Sequence, residues 1–339
     1  CVGPRMRALY DALPPGLRLD VARRYAERVN ERAAAMRRPV RAPIRAGDRL
    51  RVGYVSSDLH DHATTHLAVG LFEQHDRSRF EVHAYSFGID DGSEYRRRVA
   101  AAFEHFHELS GASPEAIAAR VAADGIDVLV DLKGYTTDSR PEIFALRPAP
   151  VQISWLGYPG TMGADFIDIL VADGTVVPTG ADDAYSERVV RLPHSYQAND
   201  DRQSIAAEAP SRAACGLPEQ GFVFACFNKH HKIEPQAFAA WMRILGAVPG
   251  SVLWLLGGHG EAALRAAAAR AGVDPSRLVF AGKLPKAAHL ARHACADLFL
   301  DTFTYNAHTT ASDALWAGLP VLTVPGEGFA ARVGGSLLS

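Results

Sequence analysis

From Arg49 onward, short runs of β-branched and other apolar residues alternate with amphipathic stretches of helical length, and they do so in two successive series. Strands are expected at 50–55, 80–86, 126–131, 151–155 and 167–172, with helices near 64–74, 93–105, 113–123 and 140–146. A polar connection over about 197–218 leads to strands at 221–226, 251–256, 277–281, 297–300 and 320–324. Helices near 235–247, 260–272, 286–295 and 310–317 separate these. Apolar strands that alternate with helices mark parallel sheets covered on both faces. The pattern predicts an α/β protein of two doubly wound domains, over 47–205 and 206–339. Ligands of such sheets bind beyond the carboxyl ends of the strands, so the loops after strands are where chemistry belongs.

The 339 residues leave room for two domains and a remainder. That remainder is 1–46, which carries 11 Arg and 4 acidic residues, against 25 basic and 34 acidic residues in 47–339. Within it, Leu17–Met36 places Leu19, Ala22, Tyr25, Ala26 and Val29 at helical spacing, and Pro39 stops the helix. It reads either as one linker helix packed on the next domain or as the end of a helical-repeat array. A single helix has no repeat period with which to choose. The start at Cys1, and the close on Gly334-Gly335-Ser336-Leu337-Leu338-Ser339 with no helix expected there, read as a fragment whose second domain is truncated.

Composition excludes several classes. A formal charge of −2 with 48% apolar and 22% charged residues fits a packed, soluble chain rather than a disordered one. There is no basic excess of the kind a nucleic-acid partner demands. Cys1, Cys215, Cys226 and Cys295 are far apart with no CxxC pair, so neither a disulfide framework nor a zinc knuckle is expected. A reducing, cytoplasmic setting fits. The longest apolar runs, such as Phe222–Phe227, are too short to span a bilayer, and no charged-then-apolar leader opens the chain, so no membrane partner is expected.

Lysine use points to the chemistry. Only five of the 36 basic residues are Lys, and four of these (Lys229, Lys232, Lys283, Lys286) lie in two segments that follow strands, FNKHHK and AGKLPK. A chain that uses Arg almost everywhere keeps Lys where a compact ammonium is wanted; chance placement on solvated loops is the alternative reading. After the strand at 297–300, the His308-Thr309-Thr310 turn enters a helix and offers free backbone N–H groups and hydroxyls suited to a diphosphate. Asp313 follows one turn later, where a carboxylate could accept from ribose hydroxyls. Thr also caps helices routinely, so the turn taken alone is compatible with a plain cap. Lys286, His289 and Arg292, spaced by three on one face of the preceding helix, favour an anion site. After the first strand, SSDLHDHATTH (56–66) reads in three ways: an H-x-H-x3-H metal site on His60, His62 and His66, one His acting as a base, or ordinary caps. No Asp-x-Asp pair, GxGxxG, Walker loop or GxSxG occurs, and GGHG (257–260) reads as a turn.

Taken together, SSDLHDHATTHL, GYTTDSRPEIFALRPAPVQISWLGYPGTMG, FNKHHKI, LPKAAHLAR and LDTFTYNAHTTASDALWAGLPVLTVPGE resemble the catalytic region of protein O-GlcNAc transferases, a family that includes the plant SPINDLY proteins. The resemblance covers about residues 48–339. It implies a GT-B fold, two Rossmann-like domains facing a cleft, behind a tetratricopeptide array of which 1–46 would be the linking end. It implies inverting, metal-independent transfer of N-acetylglucosamine from UDP-GlcNAc to protein Ser/Thr, with no cofactor; a SPINDLY-like fucosyltransferase using GDP-fucose and a catalytically silent binding module are the alternatives. The family's proposed base falls on His62 and its essential diphosphate lysine on Lys232. The donor pocket carries over to Leu284 and Lys286 beside the uracil, His289 and Arg292 on the next helix, His308, Thr309 and Thr310 at the phosphates, and Asp313 at the ribose. Lys229-His230-His231 replace a Gln-Leu-Tyr of animal relatives, so that Lys229 adds charge beside the diphosphate. Tyr305 and Ala307 stand where those relatives have Cys and Gly.

Overall fold

The computed structural model describes residues 13–40 and 49–339. Of the expected 1–46 segment, 1–12 and 41–46 lie outside the described residues. The chain divides into two compact units, one from Leu13 to Arg202 and one from Gln203 to Ser339.

The first unit opens with helix α1 (Pro15–Ala34), started by a proline in its first turn, where a missing N–H costs nothing. Leu19, Ala22, Ala26, Val29 and Ala33 form its buried stripe. Asn30 Nδ2 donates to Asp165 Oδ1 at 3.0 Å and Arg32 Nε to Glu142 Oε1 at 2.6 Å, so the helix packs with the first unit. Gly163, at φ 62°, approaches so closely that a Cβ there would lie 2.4 Å from the Arg23 nitrogen. Then follow β1 (Leu50–Ser56), α2 (Ala63–Glu73), β2 (Phe80–Ser86), α3 (Glu94–Ala101), β3 (His105–Glu108), α4 (Pro114–Ala123), β4 (Val128–Asp131), α5 (Glu142–Ala145), β5 (Val151–Ser154), β6 (Ile169–Asp173) and β7 (Arg188–Leu192). Ser93 and Ser113 cap α3 and α4 by accepting from the N–H groups of Arg96 and Ala116. All strands are parallel, in the order β3-β2-β1-β4-β5-β6-β7, so the order reverses between β1 and β4.

Two of these strands were not expected. The helix predicted over 93–105 ends at Ala101, and His105–Glu108 forms β3; β7 lies between the strand expected at 167–172 and the connection at 197–218, where no element is expected. Both are edge strands, rich in His, Glu and Arg (HFHE, RVVRL). Edge strands carry charge because they are covered less fully, which erases the apolar run that betrays a central strand.

The second unit contains β8 (Val223–Cys226), α6 (Pro235–Ala247), β9 (Val252–Leu256), α7 (Glu261–Arg270), β10 (Leu278–Ala281), α8 (Lys286–Ala291), β11 (Leu298–Leu300), α9 (Thr309–Trp316), β12 (Val321–Leu322) and α10 (Val333–Leu338). Its strands are parallel in the order β10-β9-β8-β11-β12, again reversing between the first and fourth in sequence. Phe224, Trp241, Trp254, Leu255 and Phe299 anchor the core, and each large side chain fully buried contributes about 2 to 3 kcal/mol. The helix expected over 286–295 is α only to Ala291 and tightens into a 3-10 turn over Arg292–Cys295. The expectation of no closing helix is corrected: Val333–Leu338 is helical, with Gly334 packed so tightly that a Cβ would lie 2.6 Å from Asp301 Oδ2. Among the described residues no helix is long and apolar enough to cross a membrane, and Cys215, Cys226 and Cys295 are free.

Candidate active site

In the first unit the order reversal puts the loops after β1 and β4 side by side. From one comes Asp58 and from the other Lys133, 5% exposed, whose Nζ donates to Asp58 Oδ1 at 2.8 Å and Oδ2 at 2.7 Å. Asp131 turns the second loop by accepting from the N–H groups of Lys133 (2.8 Å) and Gly134 (3.0 Å), and burial pushes its carboxyl up to about 6. His62 stands at the rim of this pair. It is the N-cap of α2, its Nδ1 accepts from the Thr64 N–H at 3.2 Å and lies 3.6 Å from Asp58 Oδ2, and its side chain is 43% exposed. His60 and His66 turn to other carboxylates, Asp91 (3.5 Å) and Asp61 (2.6 Å). The three histidines therefore do not converge as the H-x-H-x3-H metal reading required.

In the second unit the equivalent reversal gathers the loops after β8 and β11. Lys232 ends a 3-10 turn (His230–Lys232); its Nζ donates to the Asn306 carbonyl at 2.9 Å and lies 4.0 Å from the centre of the Tyr305 ring. Tyr305 stacks on His308, whose ring centre is 4.7 Å away, and His308 Nε2 donates to the Ala330 carbonyl at 3.1 Å. Thr309 opens α9, and Thr310 Oγ1 donates to Asn228 Oδ1 at 2.5 Å. Asn228 in turn donates to Thr302 Oγ1 (3.0 Å) and Asp301 Oδ1 (3.3 Å). Asp301, at the end of β11, also accepts from the Thr302 and Ala307 N–H groups (2.8 and 2.6 Å) and from Thr323 Oγ1 (2.7 Å). Burial still raises its carboxyl to about 6. Glu234 accepts from the Phe303 and Thr304 N–H groups (2.7 and 3.3 Å), so two carboxylates and one amide hold the 301–308 loop against β8.

One turn into α9, Asp313 meets α8. Lys286 Nζ donates to Asp313 Oδ1 and His289 Nε2 lies 3.8 Å from Oδ2; burial raises the Asp313 carboxyl, and the Lys286 charge opposes that. The structure thus brings Lys232, His308 and Thr310 into one cluster and Lys286, His289 and Asp313 into another, each meeting α9 or the loop before it from a neighbouring element. Leu284 is 47% exposed on the preceding loop, and Lys229 is exposed at the start of its turn.

Arg292 stands apart. It is 2% exposed, lies 4.6 Å from the Phe227 ring centre and 5.8 Å from that of Trp254, and donates to the Gly282 carbonyl at 2.6 Å. Its i+3 spacing from His289 puts it on the helix only if the helix continues, and the 3-10 turn at Arg292 rotates it into the core. Asn228, Glu234 and the Asp58–Lys133 pair are the site residues that sequence reasoning passed over. Lys133 carried a signal, as the one Lys of five outside the two clusters.

Comparison with known proteins shows the family and the fold. The sequence profile of glycosyl transferase family 41 matches residues 1–209 and 205–339. The chain is 42% identical over 340 residues to a protein of Arabidopsis thaliana named probable UDP-N-acetylglucosamine–peptide N-acetylglucosaminyltransferase SEC, covering 96% of this chain and 35% of that one. It is 30% identical over 299 residues to the SPINDLY protein of Solanum lycopersicum, which carries the same enzyme name, covering 85% and 32%. An O-GlcNAc transferase mutant from Thermobaculum terrenum superposes with a TM-score of 0.85 at 31% identity, over 99% of this chain and 65% of that one. The chain spans about a third of the length of the curated relatives it matches. The fold is that of GT-B glycosyltransferases, built from two Rossmann-like parallel sheets.

Proposed function

The chain belongs to glycosyl transferase family 41, and on that basis we propose that it moves N-acetylglucosamine from UDP-GlcNAc to Ser or Thr hydroxyls of proteins, with inversion and without a metal. The observation that carries this reading is the cluster around α9: an ammonium (Lys232), an imidazole (His308) and a hydroxyl (Thr310) surround the N-terminus of that helix. Such an arrangement stabilises the negative charge that grows on a leaving diphosphate, the task a metal performs elsewhere. Asn306 Oδ1 is buried without a hydrogen-bond partner in the same loop, an acceptor that a sugar hydroxyl would satisfy. Lys286 and Asp313 would face the nucleoside, the carboxylate taking the ribose hydroxyls. The acceptor hydroxyl would attack the anomeric carbon on the side opposite UDP; the new C–O bond forms as the bond to the β-phosphate oxygen breaks.

We assign His62 to the acceptor hydroxyl. Because its Nδ1 accepts the Thr64 N–H, the neutral ring carries its proton on Nε2. That tautomer donates to the hydroxyl and orients it; proton removal then falls to solvent or to the leaving phosphate. The test is isothermal titration of UDP, UDP-GlcNAc, GDP and GDP-fucose with EDTA present, on the chain and on Lys232→Ala. Binding of UDP and UDP-GlcNAc, weakened at least about tenfold in the variant, is the expected result. Selective binding of GDP-fucose would overturn the donor assignment in favour of the fucosyltransferase alternative, and a folded chain that binds none of the four would favour the silent module.

A further inference from the structure

The unexpected edge strand β3 creates a second cluster of ligating side chains, distant in the sheet from the loops described above. Parallel pairing sets His105 beside His83 and His107 beside Tyr85. Side chains two apart on a strand share a face, so Glu81 and His83 of β2 and His105 and His107 of β3 project together. Glu81 Oε1 lies 3.0 Å from His83 Nε2 and 3.5 Å from His105 Nε2, and the three ligating atoms lie within 4.8 Å of one another.

We propose that Glu81, His83 and His105 form a binding site for one divalent ion of the zinc class. Zinc bound tetrahedrally by imidazole and carboxylate at about 2.0 to 2.2 Å requires its ligand atoms to be about 3.4 Å apart, close to the two separations found. Two nitrogens and one oxygen suit a borderline ion better than calcium or magnesium, which take oxygen. The surroundings supply what such ligands need next. His83 Nδ1, the nitrogen turned away from the site, is 3.4 Å from His107 Nε2, a contact that holds the ring with Nε2 toward the ion. The other Glu81 oxygen, Oε2, is held by Arg49 (3.4 Å) and Arg51 (3.5 Å), and Arg49 is itself paired with Glu104 at 2.9 Å. His107 Nε2 also lies 3.3 Å from Asp124 Oδ2, which accepts from Arg120 and the Tyr85 hydroxyl as well, so His83, His107 and Asp124 form a connected polar chain behind the site. His105, with its side chain 48% exposed, opens the site to solvent, and water can fill the fourth position.

Position decides the role. Glu81 and His105 lie at the amino ends of β2 and β3 and His83 at the middle of β2, whereas Asp58 and His62 follow the carboxyl end of β1. The ion would therefore be structural, tying edge strand β3 to β2, and independent of the metal-free transfer proposed above.

The test uses the whole chain, stripped with a chelator and dialysed, then titrated with Zn2+ against a chromophoric competitor near neutral pH. One equivalent is expected to bind, with affinity reduced at least about thirtyfold in His105→Ala. Because His105 is exposed, metal-free wild type and variant should melt at the same temperature, and zinc should raise only the melting temperature of the wild type. His60→Ala should bind as the wild type does. Absence of a stoichiometric site, equal affinity in His105→Ala, or loss in His60→Ala would each overturn the proposal.

Discussion

Lys286 and Asp313 form a buried ion pair between α8 and the second turn of α9, with side-chain exposures of 11% and 7%. The residue assigned to the ribose thus arrives already neutralised, and a nucleoside must share the carboxylate with the ammonium or displace it. Removing one partner of a buried pair leaves the other uncompensated and costs about 3 kcal/mol or more, whereas removing both in favour of apolar side chains is often close to neutral. Lys286→Met is therefore expected to lower both stability and UDP affinity. Lys286→Met/Asp313→Leu should recover most of the stability in urea titrations and none of the affinity. A double variant that binds UDP normally would dissociate this pair from the donor site.

His62 separates orientation from proton abstraction. If its Nε2–H orients the acceptor hydroxyl, His62→Gln, which keeps a donor at similar reach, should retain at least about ten times the transfer rate of His62→Ala. If the ring abstracts the proton, Gln should be as inactive as Ala, with losses of about a hundredfold or more. UDP affinity should change in neither variant. Initial rates with a peptide acceptor, alongside UDP titrations, distinguish the cases.

Asp131 makes stability depend on acidity. Its folded-state value of about 6 stands above an unfolded value of about 3.9, so the native state binds the proton more tightly. The contribution is fully favourable below about pH 4 and is lost as pH rises to about 6, by on the order of 2 to 3 kcal/mol. Asp301 adds a component of the same sign. Asp131→Asn keeps an acceptor for the Lys133 and Gly134 N–H groups and removes the titration. Urea denaturation across this range should show a shallower fall in the variant.

Gly163 tests how α1 is mounted. A methyl there would meet the Arg23 nitrogen at 2.4 Å and the Ala22 carbonyl carbon at 2.5 Å, on a backbone at φ 62° that disfavours a side chain. Gly163→Ala should cost about 2 to 3 kcal/mol. Amide exchange should accelerate through Leu19–Ala33 while β1 and β4 stay protected.

The two sheets were legible because their central strands are unbroken apolar runs: VFAC of β8 and VLWLL of β9 admit little else. The sequence points to the loops after β1, β8 and β11 because α/β sheets place ligands there and because Lys is scarce, and the structure puts His62, Lys232 and His308 on those loops. What was hidden had a physical reason in each case. β3 and β7 are edge strands whose charged residues imitate connection. The spacing of a regular helix sets Arg292 on one face with Lys286 and His289, whereas the α-helix gives way to a 3-10 turn over Arg292–Cys295 and the guanidinium packs on Phe227. Asp58 and Lys133 meet across 75 residues, a pairing that periodicity cannot show.

That separation also bears on how the protein becomes functional. Asp58 finds Lys133 only when β4 has joined β1, and Lys232 finds the Asn306 carbonyl, 74 residues away, only when β11 has joined β8. In each sheet this is the pairing that closes the longest stretch of chain, and long closures come late on a folding path. During refolding, competence to bind nucleotide should trail the appearance of helix and the burial of Trp254. A chain that has acquired its secondary structure but not these two closures would lack both candidate clusters, so the onset of UDP binding is expected to report the completed fold.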